Sequence, residues 1–355
     1  MRIVALMNWI TAYQDTCFRT LSELGNDVLL VHPESYDHAP FDTSRFTEKV
    51  QRHPWTTMPG PETLVPLVEE FRPDAVIMWS WSGKGYRAVM RSQRGKALRV
   101  MFTSNWWHGT LRQYVGLAVH RFYVDPLFEC AWVPGERSEL FARRIGFGGA
   151  DIIRGANSAD THLFDRGPRA EAELAGRRKF LFTGRLIWHK APAELARAYR
   201  AYRESVDDPW DLEIVGSGPL ASEFDGIDGV HLRGFVQPDK LSDLMHEASC
   251  LILPSHIEWY GVVVHEAAVA GLPVICSDGV GAVPHLLQDG FNGWAFPAGD
   301  VDRLAATMRR MSAAEPGRLK AMSDGSRALG SRLTPEIWAR NLHEEIESRL
   351  PVRLR

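Results

Sequence analysis

The sequence predicts an α/β protein of two domains, each built around a parallel β-sheet. Short apolar runs alternate with helical patterns along almost the whole chain, which is typical of βαβ units. The alternation restarts after a charged segment containing glycine and proline, residues 167–179, which we interpret as part of the interdomain connection. The 355 residues, of which 45% are hydrophobic, are enough for about two domains.

Six apolar runs in the first half of the chain and six in the second have the length of strands. Those of the first half are residues 3–7, 28–31, 75–79, 98–102, 130–133 and 152–153. Those of the second half are residues 180–183, 212–215, 230–232, 250–254, 274–276 and 294–296. We therefore expect a first domain over residues 1–165 and a second over residues 166–334. An amphipathic stripe that includes Trp338 and Leu342 predicts a helix within residues 335–355 that packs back on the first domain.

Composition and charge exclude several classes of function. The net charge is -3 and the pI is near 6.5, so there is no electrostatic basis for nucleic acid as the main partner. The four cysteines have neither disulfide nor metal spacing, which favours a reduced, cytoplasmic setting. The first residues have a strand pattern rather than that of a signal peptide, and no apolar run approaches the length of a membrane span. Any membrane contact is therefore expected to be peripheral, on the inner face of the membrane.

Two glutamates stand eight residues apart in EWYGVVVHEAAVAG, residues 258–271. The segment lies between two runs of strand length, where a charged side chain is hard to explain by packing. Glu258 would lie at the C-terminal edge of one parallel strand, and Glu266 about two turns further on, on the next helix. Ligands bind at this edge of such sheets. The pair therefore predicts a binding site.

The segment GRLIWHK, residues 184–190, follows the predicted strand 180–183. Arg185 and Lys190 would lie just past a strand end, where a guanidinium fork and a mobile ammonium group suit a diphosphate. Gly184 would let the backbone approach the ligand closely. Taken alone, the segment is equally well explained as a solvated loop.

A turn with the sequence GSGP, containing Gly216 and Gly218, follows the predicted strand 212–215. It imitates the start of a dinucleotide-binding fingerprint, in which an acidic residue is expected about 20 residues later. That position is occupied by Arg233, so nicotinamide binding is the weaker interpretation. A tight turn with no ligand is the other alternative.

These segments together resemble the nucleotide-sugar half of the retaining glycosyltransferases of family four. The resemblance includes the E-x7-E pair, GRLIWHK, GSGP, VHLRGFVQPDKLSDLM at residues 230–245 and NGWAFPAGD at residues 292–300. It covers most of residues 153–300, whereas the first half of the chain is similar only in its strand rhythm. Members of that family have the GT-B architecture, in which two Rossmann-like domains face each other across a cleft. The resemblance implies this architecture here.

The resemblance also implies roles for individual residues. Glu266 would bind the ribose hydroxyls of the nucleotide, and Glu258 would contact the donor sugar. Arg185 and Lys190 would hold the diphosphate and stabilise its charge as the glycosidic bond breaks. The other donor-binding residues that it implies are Gly184, Gly216, Gly218, Phe235, Val236, Gly261, Val262 and Val263.

The implied reaction moves a hexose from a UDP- or GDP-linked sugar to a hydroxyl of a glycan or a lipid-linked glycan, with retention at the anomeric carbon. Surface polysaccharide or lipopolysaccharide synthesis is the expected setting. No further cofactor and no metal are implied, because Asp300 of the D-x-D segment is interpreted as a helix N-cap. A sugar-nucleotide epimerase-like GT-B enzyme and a non-catalytic nucleotide-binding protein are the alternatives, and the oligomeric state stays open.

The acceptor half carries a weaker signal. His108 follows the predicted strand 98–102 and stands roughly where family members carry a histidine that faces the sugar. A packed aromatic cluster with Trp106 and Trp107 explains the same residues equally well. His256, two residues before Glu258, is a weaker second candidate. Seven of the twelve tryptophans precede residue 135, which suits either stacking on a sugar or lipid-linked acceptor, or a core of large side chains.

Overall fold

A computed structural model of the chain describes residues 1–34, 40–42, 46–79, 81, 83–124 and 126–350. The chain divides into two compact units, one formed by Met1–Ser158 and the segment from Leu333 onward, the other by Ala159–Arg332. The sequence placed the boundaries at residues 165 and 334. The difference at the first boundary arises because Phe164 is buried in the core of the second unit. Residues 351–355 of the predicted last helix lie outside the described residues.

The first unit contains a seven-stranded sheet in which every strand pair is parallel. Its strands are β1 (Arg2–Leu6), β2 (Asp27–Pro33), β3 (Gln51–Trp55), β4 (Ala75–Trp79), β5 (Leu98–Phe102), β6 (Cys130–Val133) and β7 (Ile152–Arg154). Its order is β3-β2-β1-β4-β5-β6-β7. The helices between the strands are α1 (Ala12–Glu23), α2 (Pro61–Phe71), α3 (Lys84–Ser92), α4 (Leu111–Tyr123) and α5 (Glu136–Arg144).

Both faces of this sheet are covered, which explains why its strands appear in the sequence as continuous apolar runs. Successive side chains of a strand point to opposite faces. Ile3 and Ala5 accordingly belong to one apolar cluster, and Val4 and Leu6 belong to another.

Strand β3 was not predicted from the sequence. It is the edge strand of the sheet, and none of its five residues is buried. Its sequence, QRHPW, has no apolar run, and Pro54 cannot donate a hydrogen bond to a neighbouring strand. Both features are tolerated at an edge, where one side of the strand has no partner.

The second unit contains a six-stranded parallel sheet of order β10-β9-β8-β11-β12-β13. Its strands are β8 (Lys179–Thr183), β9 (Asp211–Val215), β10 (Val230–Leu232), β11 (Cys250–Leu253), β12 (Val274–Ser277) and β13 (Gly293–Phe296). Its helices are α6 (Thr161–Phe164), α7 (Glu171–Arg177), α8 (Pro192–Glu204), α9 (Pro238–Glu247), α10 (Val262–Val269), α11 (Val283–Leu286), α12 (Val301–Ser312) and α13 (Pro316–Gly330).

The last helix, α14 (Pro335–Arg349), belongs to the first unit. Trp338, Leu342 and Ile346 lie on its buried side, in the same apolar cluster as Ile3 and Phe18. The indole of Trp338 donates a hydrogen bond to the backbone oxygen of Ala156 at 2.9 Å. The chain therefore returns to the first unit after completing the second.

Each sheet has a point where the strand order reverses. In the first unit this point lies between β1 and β4, and in the second between β8 and β11. Ligands of open α/β sheets bind beyond the carboxyl ends of the strands at such a point. The predicted two-sheet α/β fold is confirmed. Among the described residues, no helix is long and apolar enough to cross a membrane.

Candidate active site

The candidate site lies in the second unit, at the point between β8 and β11 where the strand order reverses. The loop after β8 contains Arg185 and ends in a short 3-10 helix, Trp188–Lys190. The loop after β11 contains Glu258 and leads into α10. The two loops are joined by a hydrogen bond from the Ile257 amide to the His189 carbonyl at 3.3 Å.

Two glycines, Gly216 and Gly218, let the loops after β8 and β9 lie against each other. A Cβ atom at Gly216 would lie 1.9 Å from the Gly184 oxygen, and one at Gly218 would lie 2.4 Å from the Leu186 oxygen. The amides of Gly184 and Gly216 already donate to backbone carbonyls, at 2.9 and 2.7 Å. Gly216 and Gly218 therefore allow close backbone packing, and the amides of Gly184 and Gly216 are engaged within the protein.

Lys190 and Glu258 form an ion pair across the gap between the two loops. Both side chains are largely buried, with relative exposures of 14% and 15%. Burial lowers the pKa of the Lys190 ammonium to about 8, and the positive charge of Arg185 acts in the same direction. The Lys190 ammonium is therefore still mostly charged at neutral pH, and the ion pair joins the loops that follow β8 and β11.

The backbone of Glu258 is fixed from the other side by the loop after β12. Its amide donates to the Gly279 carbonyl at 2.9 Å, and its own carbonyl accepts from the Gly281 amide at 2.9 Å. A Cβ atom at Gly281 would lie 2.1 Å from the Trp259 oxygen, so a side chain there would separate the loops. Glu258 is thus a rigidly placed carboxylate.

Arg185 is the second cation of the site. Its guanidinium makes no hydrogen bond or ion pair with any residue that the structure describes. It lies close enough to Lys190 and His189 to lower the pKa of both, after the larger effect of burial. A half-buried arginine close to a lysine brings two positive charges together, which suits an anionic ligand.

Glu266 lies on α10 and is mostly covered by protein. Burial raises the pKa of its carboxyl to about 8, and the nearby carboxylate of Asp160 acts in the same direction. Within the described part of the chain, the Glu266 carboxyl has no hydrogen-bond or ion-pair partner. Even partial burial of a carboxyl without a partner is unfavourable, so this position points to a function that involves a ligand.

Helix α10 begins at the site and offers free backbone donors. Its N-cap is Gly261 with φ of +90°, a left-handed conformation that favours glycine. The amides of Val262 and Val263 belong to the first turn, which has no intrahelical acceptors. A Cβ atom at Gly261 would lie 3.1 Å from the Cγ atom of Glu258. The helix N-terminus and the Glu258 side chain are therefore adjacent, and anions bind at such termini.

Phe235 and Val236 follow β10 and are half-buried. The preceding Gly234 pairs with Gly216 in an antiparallel bridge, which places this segment beside the loop after β9. Val236 packs against the core of the second unit. The segment therefore lies beside the loop after β9, which contains Gly216 and Gly218.

One group beside the site was only partly found from the sequence. The exposed ring of Trp188 stacks on His256, with ring centroids 5.1 Å apart, and His256 Nε2 lies 3.4 Å from a Glu194 carboxylate oxygen. The sequence suggested His256 only as a weak acceptor-side candidate. Glu194 and Trp188 had no signal, because a glutamate in a first helical turn and a loop tryptophan have ordinary structural explanations.

His108, the candidate from the acceptor half, lies in the first unit between β5 and α4 and is exposed. Its amide donates to Gln113 Oε1 at 2.8 Å, and its ring lies 4.0 Å from that of Trp106. Partial burial lowers the pKa of His108, and the charge of Arg137 adds to this effect. The structure thus brings Arg185, Lys190 and Glu258 together in one unit, and His108 belongs to the other.

The D-x-D segment is a helix start. The carboxylate of Asp300 accepts a hydrogen bond from the Arg303 amide at 2.9 Å and caps α12. Among the described residues, no group of three or more His, Cys, Asp or Glu side chains has the arrangement of a metal site.

Comparison with known proteins identifies the family that the second unit resembles. Residues 165–327 match the family model described as Glycosyl transferases group 1. The D-inositol 3-phosphate glycosyltransferase of Streptomyces bingchenggensis is 32% identical over 161 residues, which are 41% of this chain and 35% of that protein. The amylovoran biosynthesis glycosyltransferase AmsK of Erwinia amylovora is 28% identical over 151 residues, 39% of this chain and 37% of that protein. The matched segments thus span little more than a third of either relative.

The whole chain is similar to solved structures. Anabaena Alr3699/HepE in complex with UDP and glucose superposes with a TM-score of 0.74 over 98% of this chain and 100% of that chain, at 15% sequence identity. At this identity the similarity shows the fold, which is GT-B. The assignment to family four stays a prediction.

Proposed function

We propose that this protein is a retaining glycosyltransferase that moves a hexose from a nucleoside-diphosphate sugar to a hydroxyl of a glycan or lipid-linked glycan. The observation that carries the proposal is the Lys190–Glu258 ion pair, flanked by Arg185 and the start of α10. Two cations, free helix amides and one fixed carboxylate match a ligand that has a diphosphate next to a sugar.

The ion pair suggests how the donor is received. Without a ligand, the Lys190 ammonium is neutralised by Glu258. A diphosphate between Arg185 and Lys190 would take over this ammonium, because phosphate oxygens offer more negative charge than one carboxylate. Glu258 would then be free to accept hydrogen bonds from hydroxyls of the donor sugar.

Glu266 would bind the ribose. Two vicinal hydroxyls can each donate to one oxygen of a carboxylate, and Glu266 has no competing partner within the described residues. The donor would be linked to UDP or GDP. The UDP present in the HepE structure supports testing UDP first.

In the proposed reaction, the bond between the anomeric carbon and the diphosphate oxygen breaks as the acceptor oxygen attacks on the same face. The acceptor proton passes to the departing phosphate oxygen. Arg185 and Lys190 stabilise the negative charge that develops on the diphosphate. His108 is proposed to contact the sugar from the first unit. No metal ion takes part in this scheme. Synthesis of a surface polysaccharide is the proposed setting; the name of the similar AmsK places that protein in amylovoran biosynthesis.

The test is incubation of the purified protein with a panel of UDP- and GDP-hexoses, without acceptor, and detection of released nucleoside diphosphate. Slow hydrolysis of one donor is expected, and proton NMR at early times should show the released sugar in the anomeric configuration of the donor. The Lys190→Met variant should lose this activity, whereas the exposed Glu247→Gln variant should keep it.

Binding of a nucleoside diphosphate with no turnover of any donor, even with added glycan acceptors, would favour a non-catalytic binding protein. Release of the inverted anomer would contradict the retaining mechanism. A product that is a different sugar nucleotide would favour an epimerase.

A further inference from the structure

Helix α4 of the first unit presents large apolar side chains to solvent. Among the described residues, twelve large hydrophobic side chains are exposed, and five of these are on α4. They are Leu111, Tyr114, Val115, Val119 and Phe122, with relative exposures between 41% and 80%. An exposed apolar cluster of this kind marks an interaction surface.

These residues form a stripe along the helix. Leu111, Val115, Val119 and Phe122 follow one another at spacings of four, four and three residues, which places them on one side of a helix. Leu111 and Phe122, at the two ends of the stripe, are 80% and 79% exposed. The stripe is therefore continuous over the length of α4 and is open at both ends.

The charge of α4 itself is one-sided. The helix contains two arginines, Arg112 and Arg121, and no Asp or Glu, although the net charge of the chain is -3. Arg112 of α4 is exposed and has no partner among the described residues. The guanidinium of Arg144 lies over the ring of Trp107, 4.7 Å from its centroid, and this ring contacts Tyr114 at 5.0 Å. Cations are thus placed beside the apolar stripe.

We propose that α4 docks in the surface of a lipid bilayer that contains anionic lipids. A helix in this position buries its apolar side at the boundary of the acyl chains, while Lys and Arg residues contact anionic headgroups. Both requirements are met by the Leu111–Phe122 stripe and by Arg112 and Arg144. With thirteen residues, α4 is too short to span the membrane, so the contact is peripheral.

The docking places the loop that contains His108 near the lipid surface. The side chain of Gln113, in the first turn of α4, accepts from the His108 amide and donates to the Trp106 carbonyl, both at 2.8 Å. The loop is thereby tied to the docked helix. An acceptor carried by a lipid would reach His108 directly from the bilayer; this consequence rests on the proposed function, whereas the docking does not.

The test is flotation of the full-length protein with vesicles of phosphatidylcholine, with or without phosphatidylglycerol. Binding is expected to require phosphatidylglycerol and to weaken as salt is raised. A Leu111→Ser/Phe122→Ser variant should bind at least tenfold more weakly, and so should an Arg112→Glu variant. Both residues of the double variant are exposed, so its thermal stability should be unchanged. The matched control is Leu24→Ser/Ile337→Ser, which removes two exposed apolar side chains of the same unit.

A probe at the stripe separates insertion from surface attraction. All four native cysteines are buried, so an environment-sensitive dye can be attached selectively to a Phe122→Cys variant. A blue shift on addition of the anionic vesicles is expected. Equal vesicle binding by the serine double variant and the wild type, or binding with no shift of the dye, would overturn the proposal. So would a wild-type dimer in solution that the serine substitutions dissociate, because the stripe would then be a contact between copies of this chain.

Discussion

Replacing Glu266 by glutamine is expected to stabilise the unliganded protein. The half-buried carboxyl of Glu266 has no partner among the described residues, and its pKa is raised from 4.5 to about 8. At neutral pH the folded protein therefore keeps a proton that the unfolded chain releases. Glutamine has nearly the same shape and has no charge to lose, so it does not carry this penalty.

The magnitude follows from the two pKa values. Each pH unit between them is worth about 1.4 kcal/mol, because the unfolded state gains stability by losing the proton. Between pH 4.5 and pH 7 the penalty grows to about 3 kcal/mol. Because the pKa of this acid is higher in the folded protein than in the unfolded chain, the free energy of unfolding falls as pH rises, and the fall is complete above about pH 8. Solvent access to Glu266 reduces the expected gain at pH 7 to about 2 kcal/mol.

The assay is urea unfolding of the wild type and the Glu266→Gln variant at several pH values from 5 to 8.5, without nucleotide. The difference in free energy of unfolding should be below about 1 kcal/mol at pH 5 and should increase towards pH 8. The exposed Glu247→Gln variant is the control and should stay within about 0.5 kcal/mol of the wild type throughout. Parallel curves for the wild type and Glu266→Gln would refute the reasoning.

Three further predictions address the electrostatics and packing of the second unit. The affinity for UDP, measured by titration calorimetry, should be highest near pH 8. Below that pH the Glu266 carboxyl carries a proton that it must release to bind the ribose, and above it Lys190 loses its charge. An affinity independent of pH would contradict both roles. Glu258→Gln should lower donor hydrolysis by about 100-fold, because the sugar loses an acceptor and Lys190 loses its buried partner; a rate within threefold of wild type would remove Glu258 from the site. His265→Leu should lower the free energy of unfolding by about 2 to 4 kcal/mol, because the Ala159 amide and the Gly330 carbonyl lose buried hydrogen bonds of 3.0 and 2.8 Å. The control variant, His231→Leu at an exposed position, should change the free energy of unfolding little.

Much of the fold is predictable from the sequence because buried parallel strands have a strong signal. Strands β4 and β11 consist of buried residues only, and their apolar runs are visible without any structure. The edge strand β3 has no such signal, since its stability comes from pairing with β2 rather than from apolar side chains. Its existence depends on long-range contacts that a local pattern does not contain.

The candidate site residues were chosen where a residue type stood out from its surroundings. Glu258 and Glu266 are charges in an apolar segment, and Arg185 and Lys190 follow a buried strand. The ion pair between Lys190 and Glu258 was not predicted, because it joins residues 68 positions apart through the packing of two loops.

Gly184 and Gly216 were expected to serve the ligand directly. The structure shows that their amides are used within the protein and that a side chain at Gly216 would separate the loops. The sequence shows that glycine is needed at such a position, but not whether a ligand or another loop comes close. The apolar stripe on α4 was missed for a similar reason, because exposure of a helix is decided by which elements pack against it.

We expect the carboxyl ends of strands β8 and β11 to bind a nucleoside diphosphate through Arg185 and Glu266. Titration calorimetry of UDP and GDP at pH 8 tests it most directly, with NAD as the comparison ligand. We predict binding of UDP or GDP and none of NAD, with affinity reduced at least tenfold in both Arg185→Gln and Glu266→Gln, while neither variant is less stable than the wild type. Binding by these variants with wild-type affinity, or binding of neither nucleoside diphosphate by the wild type, would contradict the claim.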